Sequence, residues 1–191
     1  MLTDIRIEYI KEKVLTISLF FFFYIVVYSF SKYFGLAYAV KTVGIIYLPS
    51  GARLLACLVG RVWGAVGVGI AAWLVVSPDV WPGKSEMFYI SVAFINSCSV
   101  LFSVILVQKV LNISEDLSNL KLIHLPFIDL AATFAQALCL YVFLLWQQQI
   151  EESNFLSLII IQITGNFIGG MIFMLGLIFS FNFRKIFGRA L

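Results

Sequence analysis

The sequence predicts an all-helical integral membrane protein of about six spans, and three observations carry that prediction. Of the 191 residues, 62% are hydrophobic and only 12% charged, and the mean hydropathy is +1.02, far outside the range of a soluble globular domain. The apolar residues fall into runs long enough to cross a bilayer, separated by short polar or Pro/Gly-bearing segments. One run, 37–76, is apolar yet carries Lys41, Pro49, Ser50, Gly51 and Arg53 at membrane depth. A proline inside a helix removes a hydrogen bond and clashes with the preceding turn, so this run is expected to contain a broken span.

Residues 1–13 mix charge with Ile and Tyr and read as an amphiphilic, cytoplasmic N-terminus, a short interfacial helix leading into the membrane. The run that follows is too long for a cleavable signal and lacks a small-residue cleavage site. It is the first span, 14–34. The second, 37–60, is broken, with a non-helical elbow at 47–51. Gly60-Arg61 makes a tight turn into a short third span, 62–77. Proline and glycine mark 78–86 as a loop. The fourth span is 87–111, and the polar stretch 112–124 offers Ser114 as a helix cap. A fifth span, 125–147, and a sixth, 155–181, are joined by 148–154 and followed by a basic cytoplasmic tail, 182–191. The whole of 14–181 reads as one transmembrane domain.

Charge placement orients these spans. With the N-terminus inside, Arg6, Lys11, Lys13, Arg61, Lys109, Lys121, Arg184, Lys185 and Arg189 all lie on the cytoplasmic side, and only Lys32 and Lys84 lie opposite. The positive-inside rule then places both termini in the cytoplasm and the chain as a multi-pass protein of a bacterial cytoplasmic (inner) membrane.

Several functions are disfavoured. The spans leave no room for a soluble catalytic domain, and no phosphate loop, no nucleophile with its base and no zinc motif is present, so the expectation is not an enzyme. Cys57, Cys98 and Cys139 sit inside apolar runs without a CxxC pair and read as small buried packing residues; with His124 alone beside them, no metal and no cofactor is expected. Nothing suggests nucleic-acid binding.

Chemistry is therefore sought in polar residues at bilayer depth. Arg53 and Asp129 fall at similar depths from the cytoplasmic side, and an ion pair between them is expected, serving either helix docking or a ligand path. Lys41 lies nearer the outer surface and is expected to snorkel. Asn96, Gln136, Gln162 and Asn166 lie near the midplane beside Pro49 and Ser50. Amides at that depth either staple helices or line a pocket, and their convergence on a broken helix favours the pocket. Glycines four apart, Gly60 with Gly64 and Gly165 with Gly169, mark helix contacts within the chain. Tyr24, Tyr28, Tyr38 and Tyr47 are read as interface anchors and packing residues rather than an aromatic cage.

Ile46-Tyr47-Leu48-Pro49-Ser50-Gly51 is similar to the aromatic-x-Pro-small-Gly turn of the first class of membrane-associated sensor domains, the MASE type of bacterial signalling proteins. The glycine-bearing run 54–69, Asn96 in the fourth span, the loop-to-helix passage 117–132, and Thr164-Gly165-Asn166 with Gly169 resemble further parts of that family. Its members usually carry more spans and a diguanylate cyclase or histidine kinase output domain, neither of which is read in these residues. The resemblance implies a sensor-like, ligand-binding membrane module acting through a signalling partner protein. A second resemblance is to the substrate-binding subunits of energy-coupling-factor vitamin transporters, which implies an energising partner instead. A third reading is an accessory or assembly subunit. Pro49, Ser50, Gly51, Arg53, Asn96, Asp129, Gln136 and Asn166 are the candidate ligand-binding residues, with the lipid bilayer, a protein partner and a small molecule as the expected partners.

Overall fold

The computed structural model describes residues 2–35 and 46–187, with side chains from 7 to 35 and from 46 to 180. Helix α1, Leu2–Tyr33, runs without a break through the amphiphilic N-terminus and the first span. A short helix α2, Pro49–Val59, turns at Gly60 into α3, Arg61–Ala71, which passes through a π turn, Ala72–Val76, into α4, Ser77–Val80. Helix α5 is Glu86–Val110, α6 is His124–Trp146, and a single 3-10 turn precedes α7, Phe155–Phe187. Among the described residues, five helices are long and apolar enough to cross a membrane, with the stretch 61–80 counted as one, and α2 is the shorter apolar helix beside them.

Packing follows from which faces lack polar atoms. α1 lies along α3, α5 along α6 and α6 along α7, while α2 is set into the middle against α7, α3 and α5. Small residues allow the close approaches. A Cβ at Gly67 would strike the Ile17 carbonyl of α1, and one at Gly64 the Ala56 carbonyl of α2, so these helices meet backbone to backbone. The expected role of glycine in contacts within the chain holds there; Gly176 has no neighbour within 4 Å.

Each end of the bundle is marked by charge. At one end Arg61 pairs with Glu115 at 3.6 Å, and Lys13 lies over the rings of Tyr9 and Trp63. At the other, Lys32 pairs with Asp79 at 2.6 Å, and Trp81 packs edge-on against Phe88. Parallel α1 and α3 thus begin at the first end and finish together at the second.

Four expectations are corrected. The elbow expected at 47–51 ends earlier than that: 46–48 is non-helical and Pro49 opens α2. At a first helical position the missing N–H is one the helix would not have used, so Pro49 starts the helix without disrupting one. The segment before it, with Tyr38 and Lys41, lies outside the described residues. The third span is longer than expected, because the helix passes through Pro78 to Val80. Ser77 N–H reaches back to the Ala72 carbonyl, a wider turn inserted just ahead of the residue that has no N–H to give. Ser114 caps no helix; its N–H and hydroxyl both donate to Asn119 Oδ1, at 2.8 and 2.9 Å, within the α5–α6 loop. Of the cysteines only Cys57 is buried, while Cys98 and Cys139 lie exposed on helix faces, as a small apolar side chain facing lipid can.

Candidate functional site

Counting along each helix from the Lys32–Asp79 end, Asn96 lies ~15 Å in from Glu86, Gln136 ~15 Å in from Trp146, and Asn166 ~16 Å in from Phe155. Helical rise alone therefore brings three amides to one level, near the middle of a bilayer ~30 Å thick. α2 begins at this level. The three amides and Ser50 join in a continuous chain. Ser50 Oγ lies 2.6 Å from the main-chain carbonyl oxygen of Asn166 and 2.7 Å from that of Tyr47. Asn166 Nδ2 donates to Gln136 Oε1 at 2.6 Å, and Gln136 Nε2 donates to Asn96 Oδ1 at 2.7 Å. Four helices, α2, α7, α6 and α5, are stitched by three side-chain amides and one hydroxyl, each buried or half-buried. In apolar surroundings such a chain holds only because each link leaves its partner satisfied.

The elbow before Pro49 is held by the same helix. Tyr47 N–H donates to the Gly165 carbonyl at 3.0 Å, and Gly169 leaves room for it: a Cβ there would overlap the Tyr47 backbone. The non-helical backbone is therefore buried in protein, as its depth demands.

Above the amides lies a cavity of about 60 Å³. Asn96, Gln136, Gln162 and Asn166 line it together with Arg53, Tyr24, Tyr28 and Tyr47, and Ala72 and Val76 of the π turn with Ser77 of α4 form one wall. Trp81, Leu144 and Val80 carry the lining toward the Lys32–Asp79 end. At that end Tyr28 donates its hydroxyl to Asp79, whose carboxylate also takes Lys32 Nζ at 2.6 and 2.8 Å. The Gln162 amide lines the cavity and has no hydrogen-bond partner among the described residues.

Arg53 and Asp129 do not form the expected ion pair. Both border a void of about 10 Å³ with Ser50 and Thr133, but the guanidinium turns toward α1, where Nη2 donates to Tyr24 Oη at 3.2 Å and Cζ stands 5.9 Å from the Tyr24 ring centre. Asp129 lies instead against α7, in a notch that exists because residue 170 is glycine. Both residues are buried, at 4% and 1% exposure, and Arg53 Nε and Asp129 Oδ2 have no hydrogen-bond partner. Of the candidate residues, Arg53, Asn96, Gln136 and Asn166 line the cavity. Ser50 acts through Asn166, Pro49 and Gly51 are helix-start residues, with Gly51 tight against Phe173, and Asp129 stands apart.

Sequence reasoning set the tyrosines aside as anchors. Tyr24, Tyr28 and Tyr47 instead surround the cavity, with Tyr24 and Tyr47 hydroxyls 3.3 Å apart. A spacing of four between Tyr24 and Tyr28, on one helical face, was the available signal. The π turn had only Pro78 to announce it.

These features define a polytopic helical membrane protein built around a buried polar site, closed at one level by a hydrogen-bonded amide chain. The family model of MASE1, membrane-associated sensor 1, matches residues 16–189, and the chain belongs to that family. MASE1 is a family of membrane sensor domains, not a family of enzymes. No curated protein and no solved structure matches the chain.

Proposed function

We propose that this chain is the ligand-sensing module of a signalling assembly in a bacterial cytoplasmic membrane, binding a small molecule in the tyrosine- and amide-lined cavity and acting through a partner protein. The observation that carries this reading is the Ser50–Asn166–Gln136–Asn96 chain and its position at the base of the cavity. A ligand that hydrogen-bonds Gln162, Gln136 or Asn166 competes with bonds that set how α5, α6, α7 and α2 pack. It therefore has a differential free energy for two packings of the bundle, which a binding event must have in order to shift a conformational equilibrium. With both termini cytoplasmic, the cavity extends toward the outer face, and the amide chain lies between it and the cytoplasmic half. MASE1 membership supports sensing over transport, since transport would require the ligand to pass that level.

Native mass spectrometry of the gently extracted protein tests the reading, scanning together for a co-purifying small molecule and a stoichiometric protein partner. A bound small molecule lost on substitution of Gln136, with a kinase or cyclase partner, is the expected result. An ATPase partner would replace sensing with transport. Absence of both ligand and partner would reduce the amides to helix staples.

A further inference from the structure

Arg53 is a guanidinium at membrane depth with 4% of its surface exposed, and among the described residues no carboxylate meets it. Its one hydrogen bond is to a neutral tyrosine hydroxyl. Asp129, the acid expected to neutralise it, is seated against Gly170, and Asp79 is engaged by Lys32 and Tyr28. A buried cation without a counter-charge is costly, and the bilayer supplies nothing to offset it. Arg53 nevertheless borders the cavity, and its remaining guanidinium N–H groups are unspent. The Tyr24 hydroxyl and the Gln162 amide border the same space as neutral polar groups.

Size narrows the occupant. A water needs at least ~10–15 Å³ measured in this way, so about 60 Å³ holds roughly four water-sized groups. Resting on the ligand-sensing reading above, we propose that the cavity recognises a short-chain monocarboxylate of about two or three carbons, its carboxylate on Arg53 and the Tyr24 hydroxyl. Its short tail lies against Val76 and Leu140. Charge-assisted bonds to guanidinium and phenol would then supply the missing counter-charge and much of the selectivity.

Isothermal calorimetry on the full chain in nanodiscs, with acetate, propionate and pyruvate against acetamide and propionamide, separates the possibilities. The acids are expected to bind saturably, each amide at least tenfold more weakly than its acid. Arg53→Gln should weaken the acids at least tenfold while Arg53→Lys loses less, and Ala72→Phe, which fills the cavity wall, should remove binding of both kinds. Equal binding of acid and amide would overturn charge recognition yet leave a ligand-binding cavity standing. Acid binding that survives Ala72→Phe would place the anion elsewhere and overturn the site. If no acid binds, the monocarboxylate inference fails, while a co-purified molecule of another class would still uphold the sensor reading. The acid–amide contrast needs no variant, so it remains decisive even if Arg53→Gln does not fold.

Discussion

The two halves of this bundle are made from the same helices and differ in what they do with polar atoms. Toward the Arg61–Glu115 end, α2 fills the centre, and Leu54, Leu58, Val104, Ile128 and Ala132 close around it, with a void of about 10 Å³ beside Arg53 and Asp129 and an apolar groove of about 370 Å³ to one side, between α3 and α5. Toward the Lys32–Asp79 end, beyond the described start of α2 at Pro49, tyrosines and amides face a cavity of about 60 Å³. The level between them is where the amide chain runs. The comparison teaches that a helix begun at mid-membrane can divide a bundle into a packed half and a receptive half, with the polar groups needed at its start serving as the boundary between them.

The largest effect should come from disturbing the boundary itself. Gly169→Ala drives a methyl into the Tyr47 backbone, which cannot yield as a flexible side chain would; a loss of ~2–4 kcal/mol in reversible unfolding from mixed micelles is expected. Gly176→Ala on the same helix, with open space around it, should change stability by less than ~0.5 kcal/mol. Similar losses in both would mean that helix α7, not the elbow, sets the cost.

Next in size is the acid buried in the packed half. Gly170→Ala would collide with the Asp129 carboxylate, and Asp129→Ala should relieve that collision. The double variant is expected to be ~1–3 kcal/mol more stable than the sum of the single changes predicts. Arg53→Ala combined with Asp129→Ala should by contrast add within ~0.5 kcal/mol, because the two side chains hold different partners. Strong coupling in that second cycle would restore the ion pair that the geometry denies.

Gln136→Leu removes the middle of the amide chain and leaves Asn96 and Asn166 each short of a partner. Hydrogen bonds between membrane helices average well under the cost of a backbone clash, so ~1–2 kcal/mol is expected, with the receptive half affected first. Amide exchange should quicken near Asn96 and Asn166 before it does around Ile128. Uniform quickening would show that the two halves unfold as one.

The fold was legible where a single helix decides the outcome. Hydropathy along the chain located the long spans, and counting 1.5 Å per residue put Asn96, Gln136 and Asn166 at one depth. Pro49 was legible as a discontinuity but not as a helix start, since a proline has the same spelling at N1 and in a helix interior. What depth cannot supply is rotation. Arg53 and Asp129 share a depth, yet Arg53 faces α1 and Asp129 faces α7, and the notch made by Gly170 becomes visible only when two helices are set side by side. The tyrosines were misread for the same reason: interface anchoring and cavity lining use the same residue type at neighbouring depths, and only the neighbouring helix distinguishes them.

The smallest expected effect lies outside both halves, and for that reason it sharpens the contrast between them. In the α5–α6 loop, the polar groups of Ser114 and Ser118 hold the Asp116 carboxyl down to about 2, with Ser118 N and Oγ donating to Asp116 Oδ1 at 3.1 and 2.8 Å. A folded-state value below the unfolded one means that the carboxylate adds to loop order above the unfolded value, near ~3.9, and that this contribution is lost as pH falls toward about 2. Between pH 8 and 5 Asp116 should therefore add no pH dependence, and below pH 4 the Ser114–Ser118 amide resonances should shift together while those around Gln136 stay in place. Asp116→Asn should flatten the loop's acid response and leave the bundle unaltered. If acid disturbed the amide level at the same pH as the loop, the loop would be coupled to the receptive half across the packed one, and the division of the bundle into independent halves would fall.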